Sequence, residues 1–138
     1  MSWQTPVTNW SSSSYFNYTD WNRIEGNCDA IVAFLLTCGY TVPITTISNR
    51  SDGSYLDFYD SLNRIENNIW AIFACYNVAP VGWVTPKTSW SYDQPFSYAD
   101  TNRIEGNILA LYNMVVGIIA ERLNCGQSLA ICGLTWSN

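Results

Sequence analysis

The chain predicts a mainly α fold: three tandem arm-plus-helix repeats forming a pseudo-threefold three-helix bundle wrapped by extended, aromatic-rich arms. Two observations predict it. The tetrads Asn22-Arg23-Ile24-Glu25, Asn63-Arg64-Ile65-Glu66 and Asn102-Arg103-Ile104-Glu105 recur at spacings of 41 and 39 residues. Periods of that size mark repeated supersecondary units. Downstream of each tetrad the apolar residues recur in alternating steps of three and four, as in a helix with one buried stripe.

Within a single domain spanning 1–138, repeat 1 covers 1–41, repeat 2 covers 42–81, repeat 3 covers 82–126, and a tail follows at 127–138. The first stripe is Trp21, Ile24, Cys28, Ile31, Leu35 and Cys38. The second is Leu62, Ile65, Ile69, Ile72 and Tyr76, and the third Ile104, Ile108, Leu111, Val115 and Ile118. Asp20, Ser61 and Asp100 suit the N-cap, where a short side-chain oxygen accepts from an unpaired first-turn amide. Gly39, Pro80 and Gly126 are the stop signals. Helices are therefore expected at 20–38, 61–78 and 100–124.

The arms show no helical period, and their Ser, Thr and Asn are interleaved with aromatics, which reads as extended or irregular chain. Trp3, Thr5, Pro6, Thr8, Trp10, Phe16, Tyr18 and Asp20 are answered at equal spacing by Trp83, Thr85, Pro86, Thr88, Trp90, Phe96, Tyr98 and Asp100. The middle arm reads as looser, with Pro43 and an insertion around Ser51–Ser54. Phe16 and Tyr18, like Phe96 and Tyr98, are two apart and would share one side of an extended chain, facing the grooves between helices. Leu129, Ile131, Leu134 and Trp136 make the tail too apolar for water alone, so a strand or a latch onto a partner is expected.

At about 100° per residue, Arg and Asn fall on one flank of each stripe and Glu on the other. Parallel packing about a threefold axis would set the Arg flank of each helix against the Glu flank of the next, a cyclic analogue of coiled-coil e/g pairing. Arms of roughly 20 residues, at up to about 3.3 Å each, can return along a helix of about 27 Å. Gly26 and Gly106 lie nearly opposite the stripe, where a missing side chain would let an arm approach. Three of the five arginines and three of the four glutamates belong to the tetrads, which favours a structural role over solvated surface charge.

Composition bounds the function. With 138 residues, 48% apolar, 12% charged and a net charge of -5, the chain is a globular domain whose field repels nucleic acid and anionic membranes. Ile108–Ala120 is too short to span a bilayer, and the start lacks a basic and then apolar leader pattern; no signal peptide or transmembrane segment is expected. There is no histidine and no Cys-x-x-Cys pair among Cys28, Cys38, Cys75, Cys125 and Cys132. Most metal and nucleophile-base schemes fall away, and no cofactor, metal or catalytic residue is expected. Cys28 stands where the other copies carry Ile69 and Ile108, so it reads as a small core residue. Cys125 and Cys132 could pair under oxidising conditions, but reduced thiols are expected. Asp57, Asp60, Asp93 and Asp100 could in principle pair for acid-base work, yet their spacing prescribes no cleft.

The pattern Asp-x-Asn-Arg-Ile-Glu-x-Asn-Ile, preceded by a Trp- or Phe-containing arm, resembles short segments in virion proteins of bacterial viruses infecting Gram-positive hosts, especially tail, baseplate and fibre components. The resemblance covers Asp20–Cys28, Ser61–Ile69 and Asp100–Ile108, with Cys28 replacing the final isoleucine in the first copy and Ser61 the aspartate in the second. It implies a trimerising or connecting helix. Three copies depart from the single one the resemblance implies, and would let one chain imitate a trimer. The expected function is thus that of a non-enzymatic virion structural or adaptor protein, assembled in the host cytoplasm, acting by self-assembly as a homo-oligomer and by docking to other proteins. Candidate partner-binding residues are Trp10, Trp90, Ile131 and Trp136. The alternative is a glycan-binding module using exposed Trp and Tyr of the arms, seven and nine of which occur among Ser, Thr and Asn.

Overall fold

The computed structural model describes residues 3–51, 58–75 and 77–127. Among them are three helices, α1 (Tyr18–Thr37), α2 (Phe58–Ala74) and α3 (Tyr98–Gln127), and no strand. Each helix packs on the other two. The core is made of the apolar stripes: Ile24, Cys28, Ile31 and Leu35 meet Leu62, Ile65, Ile69 and Ile72, and Ile104, Ile108, Leu111 and Val115. Cys38 and Ile118, at the stripe ends, are only half-buried, and Tyr76 lies outside the described residues. Burying this many branched side chains, at about 1.5–3 kcal/mol each, supplies the drive to pack helices that would be marginal alone.

Helix ends differ from the sequence expectation for identifiable reasons. The cap of α1 is Asn17: its side chain accepts from the Thr19 amide, while the Asn17 amide donates to Asp20 at 2.8 Å, a reciprocal capping box. Asp20 is therefore the third helical residue and not the cap. In α3 the Ser97 amide donates to Asp100 in the same way at 2.9 Å. Ser61 is buried inside α2, which starts three residues earlier.

Gly39, at φ 88°, ends α1 as expected, with Tyr40 N–H donating to the Leu35 carbonyl and Gly39 N–H to that of Leu36, the two bonds of a Schellman motif. α2 stops at Ala74, well before Pro80. Asn77 adopts a left-handed φ of 54° and its amide returns to the Phe73 carbonyl at 2.9 Å, a conformation asparagine tolerates. α3 continues through Gly126 to Gln127; a helical glycine costs only about 1 kcal/mol. Tyr18 and Tyr98 open helices and do not belong to extended arms.

Candidate functional site: three ion-paired joints

Every tetrad residue has a defined task. The isoleucines Ile24, Ile65 and Ile104 point into the core, at most 1% exposed. The glutamates Glu25, Glu66 and Glu105 are wholly buried, a placement that costs several kcal/mol per carboxylate unless its lone pairs are met. They are met from three sides. Glu105 receives Arg23 Nε at 3.0 Å and Nη2 at 2.6 Å, the Val7 amide at 3.1 Å and the Trp10 indole Nε1 at 2.7 Å. Glu25 receives Arg64 Nε at 3.2 Å and Nη2 at 2.6 Å, the Ile47 amide at 3.1 Å and Arg50 Nη2 at 2.8 Å. Glu66 receives Arg103 Nη2, the Lys87 amide at 2.9 Å and the Trp90 indole Nε1 at 2.6 Å.

The ion pairs thus run from α1 to α3, from α3 to α2 and from α2 to α1, closing a circuit. Because all six residues lie in the second and third turns of their helices, the three helices begin at the same end. The pairing also fixes the hand: each arginine meets the glutamate of the helix before it in the chain, with α3 serving as predecessor of α1. Two joints are bidentate, the strongest arginine–carboxylate geometry. The third is not, and Arg103 Nε is buried with no partner. Arg23 is held above its ordinary value: burial pulls it down, but Glu105 and Asp20 more than offset that.

The asparagines pin the arms. Asn102 Oδ1 accepts from the Trp10 amide at 2.8 Å and its Nδ2 donates to the Trp10 carbonyl at 2.9 Å; Asn63 does the same for Trp90, and Asn22 for Arg50. A second asparagine, two residues after each glutamate, holds the arm leading into its own helix. Asn27 brackets Gln4 and Asn107 brackets Val84 through both backbone groups, while Asn68 donates to the Thr45 carbonyl. Each such side chain replaces a backbone partner the extended arm would otherwise lack. Gly106 plays no comparable part, for a Cβ there would meet nothing within 4 Å. The expected close approach of an arm at that glycine is replaced by the asparagine clamp beside it.

Two sequence readings change here. Trp90 is 4% exposed and spends its indole on Glu66, so it offers no free ring to a partner. Trp10 is half-buried with its Nε1 committed to Glu105. Ile131 and Trp136, with the rest of the tail, lie outside the described residues. The middle arm, read as loose, makes the full set of glutamate contacts, with Arg50 in the place of the tryptophan. An ungapped alignment of Thr45–Arg50 with Thr5–Trp10 and Thr85–Trp90 carries that signal; the Trp-to-Arg change conceals it because the shared property is an N–H donor.

The Cys28 thiol is pushed well up by burial, with Glu25 and Asp29 adding to the shift, so it is unreactive. Asp93 accepts from Ser91, and Asp100 from Ser97 and Arg103; Asp57 is outside the described residues. Among the described residues no group of three His, Cys, Asp or Glu could hold a metal ion, and no helix is long and apolar enough to cross a membrane. Compared with known proteins, the chain matches no family model, no curated protein and no solved structure.

Proposed function

We propose that this chain is a non-enzymatic structural or adaptor protein of a virion, associated with a tail, baseplate or fibre, and that it acts by self-assembly and docking to other proteins. On this reading its three arm-plus-helix repeats stand about a pseudo-threefold axis with the arms wrapped around the bundle, so that one chain imitates a homotrimer. The observation that supports it is the circuit of joints: every arginine and glutamate of the signature is consumed in holding one repeat to the next, with an arm amide and an arm side-chain N–H, indole twice and guanidinium once, completing each carboxylate. Head-to-tail contacts that close after three units are how cyclic trimers are built. The virion context rests on the resemblance of the signature to tail and baseplate segments. Mass spectrometry of purified particles from the source organism tests it: peptides of this chain at stoichiometric level are expected. Their absence from particles, with the chain abundant in the host cell lysate, overturns the virion assignment. Sedimentation velocity of the pure chain is expected to show a defined oligomer, or one formed on adding particle components.

A further inference from the structure

At the end where the helices begin, aromatic rings form an unbroken row. Trp10 lies 5.0 Å from Phe16, Phe16 4.8 Å from Trp21, and Trp21 6.0 Å from Phe96. Between the turn after the first arm and the start of α3 this row lines an open cavity of about 390 Å³, within the range of roughly 300–1,000 Å³ found for small-ligand sites. Trp21 is only 5% exposed, so the floor open to a guest rests on the half-buried pair Trp10 and Phe16. The other walls carry hydroxyls, from Ser12, Ser14, Ser97, Tyr98 and Thr101 among others. No carboxylate, ammonium or guanidinium lines it. Asp20 and Asp100, which adjoin the lining residues Trp21 and Thr101 in the chain, are committed to helix starts and to Arg23 and Arg103.

That lining selects a class of ligand. The hydrated faces of Trp10 and Phe16 gain by being covered with apolar surface, whereas a wholly apolar guest strands any wall hydroxyl that is not already bonded within the protein. Ser14, Ser97 and Thr101 are so bonded. The hydroxyls of Ser12 and Tyr98 have no protein partner among the described residues. The absence of charge in the walls, in a chain of net charge -5, disfavours anions and gives a cation nothing to pair with. A guest with one C–H face and a periphery of neutral hydroxyls meets all three conditions. We propose that this cavity binds a neutral saccharide, one sugar ring stacking on the aromatic floor and its hydroxyls bonding to Ser12 and Tyr98. The proposal is independent of the virion reading. It also moves glycan recognition away from a free Trp90 ring to the outer face of the Trp10–Phe16 row.

Calorimetric titration of the full chain with maltotriose, cellotriose and chitotriose, with sialyllactose as charged control and free indole as apolar control, tests it. Saturable binding of at least one neutral trisaccharide is expected, weaker for both controls. Tyr98→Phe and Ser12→Ala, each removing one exposed hydroxyl, should weaken that binding by about 2–10-fold apiece, the worth of one hydrogen bond, with unchanged thermal melting. Three outcomes overturn the proposal: no binding of any neutral probe up to about 20 mM, indole or sialyllactose binding as tightly as the best neutral sugar, or affinity unchanged in the double variant.

Discussion

The α1–α2 joint and the two joints that involve α3 each combine a helix arginine and an arm amide with an arm side-chain donor, and differ in that last donor. At Glu66 and Glu105 the arm contributes a neutral indole N–H, so each carboxylate faces one cation; at Glu25 it contributes Arg50, so the carboxylate faces two. The backbone clamps by the tetrad asparagines are the same in all three. What is required at the arm position is therefore a donor of suitable reach, and the aromatic ring is an addition used where the arm also covers core. Trp90 packs against Phe96 at 5.6 Å, and Trp10 against Phe16 at 5.0 Å.

The largest difference should appear when the acceptor is neutralised. Glu25→Gln leaves Arg50 and Arg64 facing each other with no counter-charge, and by analogy with broken buried pairs should cost about 3–5 kcal/mol in chemical denaturation. Glu66→Gln affects a single cation, Arg103, which keeps Asp100 as a counter-charge, and should cost measurably less; equal losses would mean that neither the second arginine at Glu25 nor the Asp100 pair matters. Next comes exchange of the arm donors. Trp90→Arg removes a buried aromatic and should lose about 3 kcal/mol, whereas Arg50→Trp, at a half-buried site that already accepts an indole in the other joints, should stay within about 1 kcal/mol. Similar losses at both positions would show that the joints are not interchangeable.

Smaller still is the coupling between partners. Arg64→Glu combined with Glu25→Arg should recover about 1–3 kcal/mol relative to the sum of the single changes, while Arg64→Glu with Glu105→Arg should be additive within about 0.5 kcal/mol. Additivity in both cycles would remove the circuit. The smallest effect concerns the start of α3. Burial alone would raise Asp100, but the Ser97 amide and Arg103 hold its carboxyl below the usual carboxylate value. Its contribution to stability is complete above the unfolded value near about 3.9 and disappears as pH falls through the folded one. Between those two values the stability of the wild type should fall with pH more steeply than that of Asp100→Asn. Parallel acid titrations followed by circular dichroism would show it, and identical slopes would discount the capping carboxylate.

Much of the helical core was legible because steps of three and four are set by helix geometry alone: Ile24, Ile31 and Leu35 could be placed without knowing any neighbour. The flanking Arg and Glu were legible for the same reason, since helical rotation puts them on opposite sides of the stripe. The arm contacts were not. Asn22 and Asn27 grip backbone groups, which every residue possesses, so nothing in the arm's side chains signals the grip. Helix starts were misplaced because an aspartate at the third helical position and one at the cap look alike in sequence, and the capping residues Asn17 and Ser97 differ between copies. The role of Arg50 was hidden by its unlikeness to tryptophan, though both present an N–H at similar reach.

The joint between the first arm and α3 has a consequence for when this protein can fold. Val7 and Trp10 reach acceptors 92 to 98 residues later in the chain, whereas the arm–helix contacts of repeats 2 and 3 span only 17 to 28 residues. Closing the longer loop costs roughly 1.2 kcal/mol more entropy, about two doublings of length. On the ribosome, Arg23 and the first arm must wait for Glu105 to be synthesised before their partner exists, so the first repeat emerges with its donors unmatched and its stripe uncovered. Folding should accordingly be most vulnerable late in synthesis, with closure of the circuit as the slow, high-contact-order step.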